Sequence, residues 1–397
     1  MKILMLTPYL PYPPVSGGQT RSYNLIKKLS QIHDITLYSL IKEDIEKKYV
    51  KELEKYCSKV KVFKRSKTPF TITNILQTGF GFYPFLVIRN LVPEEKRALS
   101  IELKNNYDLI HAETFYVMPH IPKTDIPILL VDQTIEYIVY RHYVDVQAPL
   151  IAKPLFSIDV AKLKYWETRF WKTADRVVAM SDSDKNEMQK LVNNLRVDIV
   201  ANGIDITYFT QKKRKKLDIP RVLYVGNFKW LQNVEAAEVL ITEVWPTIKK
   251  EIKNAKLWIV GRYITEEIKK YRSDDIEITE YIEDIRDAYQ NSSVLVAPIE
   301  GPGGTRLKIL ESMASSLPVV STTVGVEGLG VKNGLHAFVS DSWPGLAKYA
   351  IQVIKDEKLA KSLGVNSSEF VKKNYSWDAS ARLLSELYKE VVYAKKG

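Results

Sequence analysis

A glycine-rich turn near residue 300 is the segment of this sequence best suited to hold an anion. Residues 294–314 read VLVAPIEGPGGTRLKILESMA, which predicts a strand ending near Pro298, a turn and a helix starting near Thr305. Accessible backbone amides and the positive end of a helix dipole both favour phosphate. The segment therefore predicts a site for a nucleotide diphosphate. Its expected contacts are Gly303, Gly304, Thr305, Arg306 and Lys308 for the diphosphate and Glu311 for ribose hydroxyls.

The same pattern has a purely structural explanation, which the residues leave open. A glycine turn can lead into an amphipathic helix in which Lys308 and Glu311 form an internal ion pair. The sequence contains neither G-x-G-x-x-G nor G-x-x-x-x-G-K-[ST], so the segment is not a typical dinucleotide loop or P-loop.

Polar residues in the N-terminal half also follow predicted strands. His111 and Glu113 come after Leu109–Ile110, and Asp132 and Glu136 come after the next strand. Such residues can orient a hydroxyl acceptor, and either His111 or Glu113 could share its proton. The alternative for the histidine is a satisfied structural role.

The loop PYPPVSGGQTR at residues 11–21 precedes a helix predicted to begin near Ser22. Glycines ahead of a helix N-terminus allow the backbone to approach an anion or a sugar, which makes Gly18 a candidate contact. A tight turn without a ligand is the alternative.

Short apolar runs alternate with segments of helical spacing along the whole chain, which predicts parallel sheets covered by helices. Two such series predict an α/β protein with two doubly wound, Rossmann-like domains that face each other across a cleft. The break is placed in QKKRKKLDIP at 211–220, where charge peaks and a proline follows. The predicted domains are 1–210 and 211–378, with a closing helix at 379–397. Ligands bind beyond the carboxyl ends of parallel strands, so the residues after the strands matter most.

Composition excludes some classes of protein. The chain has 397 residues, 58 Lys and Arg against 47 Asp and Glu, and a single cysteine, Cys57. One cysteine excludes an internal disulfide framework, and no apolar run reaches the roughly 18 to 20 residues that cross a bilayer. We expect a cytoplasmic protein whose excess of positive charge serves a phosphate-bearing ligand, an anionic membrane or nucleic acid.

The string GGTRLKILESMASSLPVVSTTVGVEGL resembles the donor-binding signature of GT-B glycosyltransferases of the retaining group 1, or family 4, class, and in particular their bacterial polysaccharide-assembly branch. The resemblance extends to ILMLTPYLPYPPVSGGQTRSYNLIKKL, SDSDK, VANGID and VLYVGNFKWLQNVEAA. It implies sugar transfer from a nucleotide diphosphate sugar to a saccharide or lipid-linked acceptor, without a metal or other cofactor. It also implies that Arg21 assists on the acceptor side, that His111 or Glu113 takes the reactive position, and that the base is bound near Tyr281 and Ile282.

Two features of the sequence, at three positions, depart from the family pattern. The class usually has two glutamates eight positions apart, and Gly303 stands where the first would be, counting back from Glu311. The class also carries an Arg and a Lys after the first strand of the second domain, where this chain has Asn227 and Asn233. We therefore expect diphosphate recognition to have moved to Arg306 and Lys308, with Lys229 as an additional cation.

Two further interpretations remain. Ile72–Val92 is rich in aromatic and aliphatic residues and is either a buried helix and loop or a surface for peripheral membrane contact. The rival functions are a GT-B sugar-nucleotide epimerase and a basic nucleic-acid-binding protein. The second rival lacks the aromatic-basic interleaving or helix-turn-helix pattern expected of it, so no nucleic-acid partner is expected.

Overall fold

The protein, seen in a computed structural model, consists of two compact α/β units. The structure describes residues 1–68, 71–212, 217–301 and 306–396. Gly303, Gly304 and Thr305 lie outside the described residues. The chain crosses between the units after Gly203 and returns after Ser376, so the first unit contains residues 1–203 and the C-terminal segment from Trp377.

Each unit contains one parallel sheet. The first has the order β3-β2-β1-β4-β5-β6-β7 and the second the order β10-β9-β8-β11-β12-β13. In chain order the strands are β1 Lys2–Thr7, β2 Asp34–Ile41, β3 Lys59–Lys64, β4 Leu109–Glu113, β5 Ile128–Val131, β6 Arg176–Ala179, β7 Val197–Ile199, β8 Arg221–Asn227, β9 Lys256–Arg262, β10 Ile276–Thr279, β11 Val294–Ala297, β12 Val319–Ser321 and β13 Phe338–Val339.

Helices α1 to α8 and α17 belong to the first unit, and α9 to α16 belong to the second. The α-helices are α1 Gly17–Leu29, α2 Val50–Leu53, α3 Ile72–Phe80, α4 Phe85–Ile88, α5 Pro93–Glu102, α6 Glu136–Gln147, α7 Lys153–Thr173, α8 Asp182–Leu191, α9 Ile206–Thr210, α10 Leu231–Val239, α11 Trp245–Glu251, α12 Glu266–Lys269, α13 Ile285–Gln290, α14 Leu307–Ala314, α15 Trp343–Lys355, α16 Glu357–Asn374 and α17 Trp377–Lys396. Short 3-10 segments occur at Asp44–Tyr49, Leu103–Asn105 and Phe115–His120, and a π turn occurs at Leu240–Val244. This architecture confirms the predicted α/β class with two doubly wound sheets.

The first sheet buries both of its faces, because successive side chains on a strand point to opposite sides. Ile3 and Met5 lie in the cluster covered by α1 and α17, whereas Leu4 and Leu6 lie in the cluster on the opposite face. Helix α17 packs into the first of these clusters through apolar residues spaced at helical intervals. They include Trp377, Ala381, Leu384, Leu387, Tyr388, Val391 and Val392.

The structure places three boundaries differently from the sequence prediction. The first crossover follows Gly203 rather than residue 210, because α9 belongs to the second unit. The second crossover precedes Trp377, the first residue of α17, rather than residue 379. Helix α1 begins at Gly17 rather than near Ser22, since Ser16 is the N-cap and its side chain accepts from the Gln19 amide. None of the helices in the described ranges has the length and apolar content to cross a membrane.

Candidate active site

A buried chain of polar side chains lies at the carboxyl end of β4 in the first unit. His111 and Glu113 are two positions apart on the strand, so they share a face, and both are fully buried. His111 Nε2 is 2.6 Å from Glu113 Oε2, and His111 Nδ1 is 2.5 Å from the Tyr388 hydroxyl on α17. Both ring nitrogens are therefore occupied within the fold. The expectation that one of these residues meets an acceptor stays a prediction, since neither is accessible in this structure.

Glu113 has further partners on its other oxygen. Gln133 Nε2 donates to Oε1 at 2.6 Å, and Arg21 Nε lies 3.3 Å from the same atom. Burial alone would raise the pKa of Glu113. The hydrogen bond and charge of His111, the charge of Arg21 and the bond from Gln133 outweigh burial, so this pKa lies below its ordinary value. Glu113 is therefore an ionised carboxylate that organises the cluster.

Arg21 is a buried member of this network rather than a side chain extended from a loop. It lies inside α1 and is 0% exposed, and its Nη1 donates to Asn202 Oδ1 at 3.0 Å. Its Nη2 is buried and has no hydrogen-bond partner. Residue Asn202 comes from the VANGID element and closes the network from the segment after β7.

Gly18 lies in the first turn of α1, where space is limited. A Cβ added there would lie 2.7 Å from the Tyr9 hydroxyl and 2.8 Å from Gln133 Oε1. The same two side chains are joined by a hydrogen bond of 2.7 Å. The absence of a side chain at Gly18 therefore lets α1 approach this polar pair, whether or not a donor also binds.

Asp132 and Glu136 belong to a different buried cluster. Asp132 Oδ2 accepts from the Trp171 indole at 2.7 Å, and the Glu136 amide donates to Glu167 at 2.7 Å. Burial raises the pKa of Asp132 well above its ordinary value and raises that of Glu136 to about 7. Because β5 residues alternate in direction, Asp132 faces away from His111. The structure thus separates the predicted acceptor-side residues into two groups.

In the second unit, Lys308 reaches from α14 to the residues at the end of β8. Its ammonium donates to Asn233 Oδ1 at 2.7 Å and to the Tyr224 hydroxyl at 3.0 Å. Asn233 in turn donates to the Asn227 carbonyl at 2.8 Å. The lysine therefore occupies the region where the family pattern would supply other cations. Burial, followed by the charge of Arg306, holds the pKa of Lys308 well below its ordinary value.

Lys308 and Glu311 have separate hydrogen-bond partners, so the internal ion pair proposed as a structural alternative is not formed. Glu311 accepts from the buried Tyr289 hydroxyl at 2.6 Å, and burial raises the pKa of Glu311. Arg306 is the N-cap residue of α14 and donates to the Gly301 carbonyl at 2.7 Å. Helix α14 thus brings two cations and one carboxyl group to the same edge of the sheet.

The remaining predicted contacts are more exposed. Lys229 follows β8, and its ammonium lies 3.7 Å from the centroid of the Tyr263 ring. Tyr281 is exposed after β10, and Ile282 is partly buried. Among the described residues, no three His, Cys, Asp or Glu side chains are grouped to hold a metal ion. Asp182 and Asp184 lie in the first turn of α8, where Ser181 is the N-cap.

Comparison with known proteins agrees with this architecture. The family model described as "Glycosyl transferases group 1" matches residues 219–356, and that described as "Glycosyltransferase Family 4" matches residues 15–208. A Klebsiella pneumoniae protein, described as an uncharacterized 44.6 kDa protein in the cps region, is 24% identical and covers 98% of this chain and 99% of its own.

Two solved structures share the fold. Sucrose-phosphate synthase from Thermosynechococcus elongatus is 17% identical, with a TM-score of 0.73 over 99% of this chain and 100% of its own. Anabaena HepE, solved in complex with UDP-glucose, is 14% identical, with a TM-score of 0.67 over 98% and 100%. The likeness to these structures establishes the GT-B fold, and the two family models together span most of the chain. The chain therefore carries a glycosyltransferase family 4 domain in its first half and a glycosyl transferases group 1 domain in its second half.

Proposed function

We propose that this enzyme transfers a sugar, with retention, from a nucleotide diphosphate sugar to a saccharide or lipid-linked saccharide acceptor during surface polysaccharide or glycoconjugate assembly. The donor assignment rests on the position of Lys308. Its ammonium donates to two neutral polar groups and lies near Arg306. The relative in a cps region supports the polysaccharide context, and UDP-glucose in HepE makes UDP-sugars the first donors to test.

In the proposed reaction, the acceptor oxygen forms a bond to the anomeric carbon as the bond from that carbon to the diphosphate oxygen breaks. The electron pair leaves with the diphosphate, and the acceptor proton passes to a leaving phosphate oxygen on the same face of the sugar. Negative charge develops on the diphosphate, so nearby cations lower the barrier. We propose that Arg306 and Lys308 supply this charge without a metal ion. Activity retained after chelation would support this, and activity restored only by a divalent metal would contradict it.

The buried network of the first unit has a supporting part in this proposal. Glu113 links β4 to α1 through Arg21, and His111 links the same strand to α17 through Tyr388. These contacts fix the carboxyl edge of the first sheet, where an acceptor is expected. We infer that changes at His111 or Glu113 reduce turnover more than they reduce donor affinity.

The direct test is a thermal-shift panel of UDP-, GDP-, ADP- and dTDP-sugars. A ligand that binds only the native state raises stability by mass action, so the correct nucleotide should raise the melting temperature. Lys308→Ala and Glu311→Ala should each reduce the shift. Lys348→Ala is a matched control in the same unit, because Lys348 is exposed on α15. An unchanged shift in both site variants would reject the donor site, and conversion of the donor without an acceptor would favour an epimerase.

A lipid-linked acceptor would place the enzyme at the cytoplasmic face of a membrane, and one exposed region fits that location. The predicted segment Ile72–Val92 divides in two: α4 contributes Val87 and Ile88 to the core, whereas Phe80 on α3 is 91% exposed. The turn between α6 and α7 adds Ile151, which is 96% exposed. We call the following set the apolar surface: Ile72, Ile75, Leu76, Phe80, Phe82, Leu150, Ile151, Leu155 and Ile158.

The two parts of the apolar surface are fixed to each other by α7. Lys162 donates to the Thr78 and Gly81 carbonyls at 2.7 and 2.9 Å, and Trp166 donates to the Phe82 carbonyl at 2.7 Å. Leu155 and Ile158 precede Lys162 by seven and four residues, so they share its side of α7. The surface is therefore held in place rather than formed by a loose loop.

Charge favours an anionic membrane as the partner. Residues 71–92 contain no acid, and in 141–172 the only exposed acid is Asp145, whereas Arg141, Lys164, Arg169 and Lys172 are exposed. Exposed apolar side chains in segments whose exposed charges are mostly positive suit an anionic lipid surface, and the same cations would oppose self-association.

Flotation with vesicles tests this contact. The wild type should bind phosphatidylcholine vesicles that contain phosphatidylglycerol, and should bind pure phosphatidylcholine weakly. The triple change Phe80→Ser, Phe82→Ser and Ile151→Ser should abolish binding. Ile32→Ser with Ile45→Ser is the control, since both residues are exposed elsewhere in the first unit. Equal binding by the test and control variants would overturn the proposal.

A further inference from the structure

Arg65 is a buried guanidinium with unsatisfied donors at the carboxyl edge of the first sheet. It directly follows β3 and is 8% exposed, and its backbone amide donates to the Ile41 carbonyl at the end of β2. Its Nε and Nη1 atoms are buried and have no hydrogen-bond partner in the described part of the chain. Buried donors of this kind are rare, because each has given up water without gaining a partner.

Arg89 brings a second guanidinium close enough for its charge to act on Arg65. It is the C-cap residue of α4, and its Nε atom is also buried without a partner among the residues that the structure describes. Phe63, two residues before Arg65, and Val87, two residues before Arg89, lie in one apolar cluster. Among the described residues, no carboxylate oxygen lies within 4.0 Å of either guanidinium.

The charged groups around Arg65 and Arg89 are the next feature of this site. Burial, and then the charge of Arg89, lower the pKa of Arg65 to about 10. Tyr116, which packs against the same apolar cluster, is a polar neighbour of Glu136 and lowers its pKa. Glu136 is an acid that interacts with Arg89, and its pKa of about 7 leaves it partly protonated at neutral pH. Glu46 is the other acid that acts on Arg65, and it accepts from the Lys42 and Glu43 amides. Within the described ranges, neither guanidinium is therefore paired with a carboxylate at bonding distance.

We propose that Arg65 and Arg89 bind an anionic group of the acceptor, either a phosphate or a carboxylate. Two forked guanidiniums can each donate a pair of hydrogen bonds to such a group, and the bound anion would satisfy donors that the fold leaves open. The site lies beyond β3, β4 and β5, at the same edge as the His111–Glu113 network but on the opposite face of the sheet. It follows, given the proposed transferase function, that the natural acceptor is an acidic or phosphorylated saccharide.

Phosphate itself is the first probe. Inorganic phosphate should raise the melting temperature of the wild type relative to potassium chloride of the same ionic strength. Because Lys308 and Arg306 also bind phosphate in the proposed donor site, the measurement is made in the double variant Lys308→Ala with Arg306→Ala, in which the remaining shift reports the arginine pair. Adding Arg65→Gln or Arg89→Gln to that background should weaken phosphate binding at least about tenfold. Arg97→Gln is the control, because Arg97 is exposed on α5 in the same unit.

A separate readout distinguishes a ligand site from a structural arginine. Without phosphate, Arg65→Met should melt at the same temperature as the wild type or higher, because it removes a buried charge that has no partner. A lower melting temperature without phosphate, or a phosphate shift equal in Arg65→Gln and Arg97→Gln, would overturn the proposal.

Glucose 6-phosphate and glucuronate then separate the two chemical sources. A larger shift with the phosphate ester assigns a phosphorylated acceptor, and a larger shift with the uronate assigns an acidic sugar. No Arg65-dependent shift with either would reject the site. The shift caused by the donor nucleotide should persist in Arg65→Gln, so a failure of this proposal is distinguishable from a failure of the transferase assignment.

Discussion

The two units differ in how their buried charged side chains are paired. In the first, Glu113 and Arg21 are both fully buried, oppositely charged and linked through His111, Gln133 and Asn202. In the second, the hydrogen bonds of the Lys308 ammonium within the described residues go to two neutral partners, Tyr224 and Asn233. The first arrangement pairs opposite charges inside the fold, whereas the second holds a cation by neutral groups. The comparison shows that polar residues near the carboxyl ends of parallel strands can differ in whether the fold itself pairs their charge.

The largest expected effect is on the stability of the first unit. Glu113→Gln preserves shape but leaves Arg21 buried without its counter-ion. We expect a loss of about 3 to 5 kcal/mol in the free energy of unfolding, measured by urea denaturation. Asp198→Asn is a control on the same sheet, where a partly exposed ion pair with Arg176 should contribute less than about 1 kcal/mol. Equal losses in the two variants would contradict the distinction between buried and surface pairs.

The next effect is a change in stability with pH, caused by Glu136. The pKa of Glu136 is raised to about 7. The folded chain therefore holds this proton more tightly than the unfolded chain, and stability is lost as pH rises from about 4.3, the ordinary value, to about 7. Glu136→Gln cannot ionise, so its stability relative to the wild type should increase by about 1 to 3 kcal/mol across that range. Urea denaturation at several pH values would show this, and a difference independent of pH would contradict it.

A smaller effect is expected for the contact between α17 and β4. Tyr388→Phe removes the hydroxyl bound to His111 Nδ1 and should cost about 1 kcal/mol, because it leaves one buried ring nitrogen unpaired. Turnover should fall while donor affinity stays the same. Tyr393→Phe is the control, since Tyr393 is exposed on the same helix. A fall in donor affinity equal to the fall in turnover would show that the contact does not act through the first unit.

The smallest expected effect is a gain in stability rather than a loss. Lys308→Met removes a cation that burial disfavours and that interacts with Glu311 through charge but not through a hydrogen bond. Without a ligand, the variant should be as stable as the wild type or more stable by up to about 1 kcal/mol. Differential scanning calorimetry would measure it, and a loss of more than about 2 kcal/mol would show that Lys308 has a structural role.

The strands could be predicted from the sequence more accurately than the contacts between side chains. Short apolar runs of the sequence, such as those at 3–6, 128–131 and 294–297, coincide with strands of the structure, because strands buried in a parallel sheet consist of consecutive apolar residues. The start of α1 was predicted late. Its first turn consists of glycines and polar residues, and the Ser16 cap depends on a local hydrogen bond rather than on periodicity.

The site was only partly predictable, for a physical reason. Lys308, Arg306 and Glu311 lie on one helix, and their spacing could be counted. Tyr388 meets His111 across 277 positions, and Asn202 meets Arg21 across 181. No periodicity relates residues at such separations. The VANGID element was noted for its resemblance, but its contact with Arg21 becomes visible only when α1 is placed against the segment after β7.

The central claim is that donor phosphate recognition rests on the second unit. The most direct measurement is calorimetric titration of UDP, or of the nucleotide selected by the donor panel, into the wild type, Lys308→Met and Tyr388→Phe under identical salt. We predict that Lys308→Met weakens binding by about 30-fold or more, as expected for loss of a charge-assisted bond to phosphate, and that Tyr388→Phe leaves the dissociation constant unchanged. Unaltered affinity in Lys308→Met, or a loss of equal size in Tyr388→Phe, would contradict the account.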